Sequence, residues 1–360
     1  MPISDKQFHK QLAGTGQLKR WVEVLDRVTT DLDRIYPSWM QQMDRFRKDR
    51  RELGDWPKWC LVPMAGTAAI VERNEGEALL GNKAYLQAPA VLSAIYAWQW
   101  SRTVWIFDPD LSEALDTTEN LNSIPYEALY QMPEWCIAMP IDKDTLSLTW
   151  LEWDVGRHEA ELRIQLFVHY DDSVFSTFGA IVHLGQGSLT AGIEAAIAES
   201  KRQLALSGGD HKQLPELYDS VGRAWTNVVS TVVPRIVYLC SDKPDISINT
   251  VTSNKTPQKN PVRRARRPER QDVAKWEVGF RFGAVFRQAK KAHASGTSTG
   301  QPAPQRHGIT PHMRRAHWHM YWTGPKTGTR VPVVHWMHPM IIGGTLDKVV
   351  PTVRRVAKNG

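Results

Sequence analysis

Cysteine is scarce. The 360 residues hold three, Cys60, Cys136 and Cys240, odd in number and far apart. That argues against a disulfide framework and against a Cys-x-x-Cys zinc site, and for reduced thiols in a cytoplasm. Long hydrophobic runs are missing too. No uninterrupted apolar stretch approaches the ~20 residues that span a bilayer, so no membrane partner is expected. The opening residues, Met1-Pro2-Ile3-Ser4-Asp5-Lys6, lack an apolar signal core. There is no internal repeat and no phosphate-binding glycine loop. Gly14-x-Gly16 precedes a helix but lacks the rest of a nucleotide fingerprint, and no cofactor is expected. Carboxylates run out toward the C-terminus, where Asp347 is the one acid after Glu277. That disfavours a magnesium nuclease, which needs oxygen ligands.

What is present fits a globular chain: 42% hydrophobic and 23% charged residues, enough for one large domain or two ordinary ones. The net charge of +7 conceals a partition. From Asn249 onward there are 21 Lys and Arg against 4 Asp and Glu, which leaves 24 basic and 34 acidic residues before it. One end suits a polyanion and the other does not.

Apolar spacing predicts helices over 16–51, with a stripe Leu18, Trp21, Val22, Leu25, Val28, Leu32 and Ile35 interrupted at Pro37, and over 88–102. A short strand follows at 103–107. Pro125 and Pro133 bracket a short helix, and strands are expected over 135–139, 145–155, 160–170 and 175–184. Helices follow from Ser188 to about Leu206 and from about Leu214 to Cys240, the second bent or interrupted near Pro234. Residues 275–287 read as a strand, with Trp276, Val278, Phe280, Phe282 and Ala284 alternating. The expected fold is α+β, a helical N-terminal part packed on a mainly antiparallel sheet, with a basic β-rich C-terminal module. The expected division is an acidic domain over 1–242, a candidate for peptide recognition, a basic Pro/Arg-rich linker over 243–271, and a His/Trp-rich module over 272–360 that packs on the first domain.

Within the linker, the run from 255 to 270 sets Lys255, Lys259, Arg263, Arg264, Arg266, Arg267 and Arg270 against one acid, Glu269. The run is a solvated loop or a phosphate-contacting arm, and Arg314 is a further candidate contact. The densest chemistry lies in Pro311-His312-Met313-Arg314-Arg315-Ala316-His317-Trp318-His319-Met320-Tyr321-Trp322-Thr323-Gly324-Pro325, followed by His335 and His338. Read as one strand, one face carries Arg315, His317, His319 and Tyr321, and the other carries Arg314, Ala316, Trp318, Met320 and Trp322. Gly324-Pro325 allows a turn, and 331–338 returns as the partner.

Several readings of this cluster are open. In metal-free chemistry on RNA, His312, His317 and His319 supply general acid and base, Arg315 stabilises the phosphorane, and Tyr321 donates a further hydrogen bond. A metal reading would use His317, His319, His335 and His338. A binding reading stacks the rings on bases or holds a peptide. In a purely structural reading, Trp318, Trp322 and Trp336 fill a core while the histidines satisfy buried backbone groups.

The run Pro-His-x-Arg-Arg-x-His-Trp-His-x-x-Trp-x-Gly-Pro at 311–325, with Val334-x-Trp336-x-x-Pro339, resembles the C-terminal signature of a type V-A anti-CRISPR family, the second of its A series. Leu129-x-x-Met132-Pro133-Glu134-Trp135-Cys136, Val237-Tyr238-Leu239-Cys240-Ser241 and Trp276-Glu277-Val278-Gly279 are also similar to it. The resemblance implies a phage or plasmid protein in the cytoplasm of a bacterial host. It implies that the protein recognises the N-terminal segment of the nascent type V-A effector nuclease and promotes loss of the mRNA being translated, with mRNA or the ribosome as further partner. It brings no catalytic residues and names no peptide-binding ones. An autonomous mobile-element endoribonuclease and a nucleic-acid-binding regulator are the alternatives.

Overall fold

The structure, a computed structural model, describes residues 15–75, 88–119, 121–171, 174–185, 187–206, 214–248, 273–294, 312–328 and 330–342. Helix α1 (Thr15–Ile35) buries Trp21, Leu25 and Leu32. Ile35, expected to close that stripe, is exposed, and Tyr36 in the turn at Pro37 takes the buried place. Helix α2 (Trp39–Lys48) buries Trp39, Met43 and Phe46. Helix α3 (Met64–Glu75) follows a loop. Helix α4 (Ala88–Ser101) is apolar nearly all round and accordingly sits inside. It ends at Arg102, whose guanidinium lies over the Trp98 ring at 4.5 Å and pairs with Asp26 at 2.9 Å.

Strand β1 (Thr103–Phe107) leads into helix α5 (Pro109–Asp116). Asp108 caps α5 by accepting from Asp110 N at 2.9 Å, with proline in the first turn, where its missing N–H costs nothing. A 3-10 turn (Tyr126–Gln131) sits between Pro125 and Met132, as the proline spacing predicts. Strands β2 (Cys136–Pro140), β3 (Thr145–Asp154), β4 (Glu159–Asp171) and β5 (Val174–Leu184) form an antiparallel meander in that order. One face, with Leu146, Leu148, Trp150 and Phe167, packs on α1 to α4. The other, with Leu162, Ile164, Leu166 and Val182, packs on helices α6 (Leu189–Leu206) and α7 (Leu214–Cys240). Helix α7 runs through Pro234 unbroken, because the buried Val232, Val233, Ile236 and Val237 hold it across the missing hydrogen bond.

Glu152 of β3 is enclosed on the face toward the N-terminal helices. Its carboxylate accepts from Met64 N at the head of α3 (2.9 Å), from Trp153 N (2.9 Å) and from Trp150 Nε1 (3.1 Å), which ties α3 to the sheet. Burial pushes this carboxyl up to about 7, against the pull of Arg163 and of those hydrogen bonds.

A second, three-stranded sheet has order β1-β7-β6, with β6 at Ile246–Ile248 and β7 at Ala274–Val278. Strand β7 is central, parallel to β1 and antiparallel to β6. Strand β1 lies beside β2, and its side chains alternate between the same two cores. The expected linker therefore contributes a strand at 246–248, and residues 249–272 lie outside the described residues. The strand expected over 275–287 stops at Val278. Gly279 adopts φ 76, where a Cβ would also meet Leu111, and helix α8 (Phe280–Ala294) begins. The Asp245 carboxylate accepts from Arg281 N and Phe282 N at 3.0 Å each and starts that helix.

The long C-terminal strand is in fact two. Strand β8 (His312–Arg314) pairs with β11 (Met340–Ile342), while β9 (His317–Thr323) pairs with β10 (Val331–Met337). The ribbon breaks at Arg315-Ala316 because a different partner takes over. Glu119 N donates to Ala316 O at 3.3 Å, and Pro339 interrupts the opposite strand. The fold is α+β, with a predominantly antiparallel arrangement of strands.

Candidate functional site

The β9–β10 hairpin has an inner and an outer face, and the period-two reading assigns them correctly. Register pairs Trp318 with Trp336, Met320 with Val334 and Trp322 with Pro332 on the inner side. Trp318 and Val334 are buried in the core. The Trp336 ring meets Tyr238 of α7 at 5.4 Å and Phe282 of α8 at 5.1 Å, both edge-on, and its Nε1 donates to Thr118 Oγ1 at 3.1 Å. Trp322, expected in the core, is 37% exposed, near the tip of the hairpin. Two backbone carbonyls of β10 are claimed by the body. Gln131 Nε2 donates to Pro332 O at 2.9 Å, and Asp242 N donates to Val334 O at 2.7 Å. The hairpin is thus a fixed platform.

The outer face carries His317, His319, Tyr321 and His335, with His319 and His335 directly opposite each other, and the exposed Arg315 lies just before the strand. Tyr321 is 43% exposed, stacks on His335 at 5.2 Å, and shares a 3.0 Å hydrogen bond between its Oη and His335 Nε2. The other nitrogen of His335, Nδ1, lies 3.9 Å from Asp242 Oδ2, an attraction that grows when the imidazole is protonated. Arg315 pairs with Glu119 at 2.9 Å, both side chains well exposed. Such a pair contributes little and exchanges readily for a phosphate. Glu119 and Asp242 are charged neighbours of the hairpin that sequence reasoning missed. Both lie far from the hairpin along the chain, and no motif marks Glu119. Asp242 directly follows Val237-Tyr238-Leu239-Cys240-Ser241, whose tyrosine braces Trp336.

Of the large apolar side chains exposed among the described residues, Tyr321, Trp322, Val331 and Met337 are on this hairpin, and Ile35 is elsewhere. Residues 312–342 contain no Asp or Glu, whereas Arg314, Arg315, Lys326 and Arg330 supply positive charge. A cationic, ring-bearing surface of this kind can hold phosphates and stack unpaired bases. His338 lies off the strand, beside Phe282 at 6.3 Å, so the structure does not bring the four histidines of the metal reading together on one face. Among the described residues no three His, Cys, Asp or Glu side chains form a group able to hold a metal ion. His312 and Arg314 lie on β8, with only their backbone described, and Lys255, Lys259, Arg263, Arg264, Arg266, Arg267 and Arg270 lie outside the described residues. No described helix is long and apolar enough to cross a membrane.

A family model described as the anti-CRISPR type V subtype A2 family, AcrVA2-like, matches residues 105–344. That span includes the whole hairpin and the segments that brace it. Among solved structures, the chain matches one titled "Crystal structure of AcrVA2" with a TM-score of 0.55 and 16% identity, covering 88% of this chain and 98% of that one. At that identity the likeness is one of fold. No curated protein matches.

Proposed function

The chain belongs to the AcrVA2-like, anti-CRISPR type V subtype A2 family, and from that premise we propose that it blocks production of a type V-A effector nuclease by recognising the N-terminal segment of the nascent effector and promoting degradation of the message being translated. The observation that carries this reading is the hairpin. Its outer face joins cations, imidazoles and a stacked Tyr321–His335 pair on a braced platform free of its own carboxylates. That chemistry suits RNA, whether message or ribosome. The acidic balance before Asn249 suits a different partner, such as a polypeptide.

The test is the abundance of effector mRNA in cells with and without this protein, for three reporters. One keeps the natural start of the effector gene. One encodes the same peptide with synonymous codons. One keeps nearly the same nucleotides but shifts the reading frame through the first codons. Message loss for the first two and none for the third is expected. Loss from the frameshifted reporter would show that RNA sequence, not peptide, is read, and no loss from any would refute the reading outright. Cleavage of naked RNA by the purified protein would place the cut in this chain and favour an autonomous ribonuclease.

A further inference from the structure

We propose that a strip of five aromatic rings beside the hairpin, Tyr126, Tyr130, Trp59, Trp153 and His158, with the Glu127 carboxylate at one end, binds an extended peptide through a lysine, an arginine or a free amino group. This rests on the nascent-peptide reading above and assigns it a surface.

The rings come from three separate segments. Trp59 lies in the loop between α2 and α3, the tyrosines in the 3-10 turn, and Trp153 and His158 at the end of β3 and its turn. They touch in sequence: Tyr126 to Tyr130 at 6.1 Å, Tyr130 to Trp59 at 4.9 Å, Trp59 to Trp153 at 6.0 Å and Trp153 to His158 at 6.3 Å. Steps of that size span no more than about 23 Å, roughly seven residues of extended chain. Trp59, Tyr126, Tyr130 and Trp153 pack their inner edges on the core and keep part of their surface in solvent. The rings are therefore ordered before any partner arrives, which lowers the entropic cost of binding.

Charge selects the ligand. Burial first, then the charge of the neighbouring Glu127 carboxylate, hold the Tyr126 phenol above its ordinary range. Burial, Tyr126 and Glu127 do the same at Tyr130. A carboxylate beside ring faces favours a cation, through charge and through the ring quadrupoles. The segments 54–60, 126–131 and 153–159 carry Asp55, Glu127, Asp154 and Glu159 against Lys58 and Arg157. Arg157 is already taken by Glu199 at 2.9 Å and lies near Asp154. The indole N–H of Trp153 is enclosed with no acceptor among the described residues. Gln131, next to Tyr130, bonds Pro332 O, so the strip lies beside the cationic hairpin, as a protein that meets both a peptide and its message requires.

The experiment uses the purified full chain and a fluorescently labelled synthetic peptide of the effector's N-terminal segment, with a second peptide in which every Lys and Arg is replaced by Gln. Fluorescence anisotropy should show Glu127→Gln and Trp59→Ala each weakening the natural peptide by about tenfold or more. The Gln-substituted peptide should bind weakly to all three proteins. Glu127→Gln keeps the shape of the side chain, so it reads charge even if Trp59→Ala unfolds. Equal binding of the natural peptide by wild type and Glu127→Gln would overturn the proposal, as would equal binding of the two peptides by wild type. Strip-dependent binding with no effect on message abundance would leave this site standing and refute the proposed function. Frame-dependent message loss with no effect of either variant would do the reverse.

Discussion

Replacing Glu152 by glutamine should alter how stability depends on pH. The carboxyl titrates at about 7 in the folded chain instead of its ordinary 4.5. Burial is the leading cause, and it outweighs the three hydrogen bonds and Arg163, all of which favour the ionised form. Because the folded-state pKa is raised, the folded chain holds the proton more tightly than the unfolded chain. The resulting stability is fully present below about 4.5 and is lost as pH rises through about 7. The side chain is almost wholly enclosed, so little solvent screening applies, and the loss is roughly 3 kcal/mol. Glutamine keeps the shape and one carbonyl acceptor for Met64 N and Trp153 N but does not titrate. Urea unfolding, followed by tryptophan fluorescence from about pH 5 to about pH 8, should show wild type losing roughly 2–3 kcal/mol relative to Glu152→Gln across that window. Using the difference between the two proteins removes groups common to both. Parallel stability curves, or a wild type that gains on the variant as pH rises, would refute the reasoning.

Two further outcomes separate platform from face. Trp318→Ala should destabilise by roughly 3–5 kcal/mol, as expected for an aromatic deleted from a core. Arg315→Ala, whose ion pair with Glu119 is exposed, should change stability by less than about 1 kcal/mol yet reduce message loss. Denaturation and mRNA abundance measured on the same variants check both. Gly283→Ala should cost about 1–3 kcal/mol in the same denaturation assay. An added Cβ would collide with the Asp108 carboxylate, which is held in place by Arg287.

The hairpin was legible because one local rule decides it. Alternation from His317 to Tyr321 fixes two faces, and the Gly324-Pro325 turn fixes the partner strand. The four-stranded meander and the apolar helix at 88–101 were legible for the same reason. Alternation failed at Phe280 and Phe282. Those residues also fit a helical period, and Phe282 stacks on Phe286 one turn later, at 5.4 Å. What decides between the two is Asp245, a cap supplied from 35 or more positions away along the chain. Local periodicity cannot see such a residue. The same holds for Glu119 and Asp242 at the hairpin, and for the strip, whose rings belong to three segments that each look unremarkable alone.

The central place of β7 has a consequence in time. Its pairing of Ala274 with Thr103 spans about 170 residues, so β1 emerges from the ribosome on the order of 10–30 s before the strand that completes it, at ~5–20 residues per second. Through that interval Trp105, which ends up stacked on Trp276 at 5.4 Å, has no ring to cover it. The edge of β1 that β7 will occupy stands open to any other extended chain. The chain therefore reaches its folded form with a lag set by the length of chain between the two paired strands.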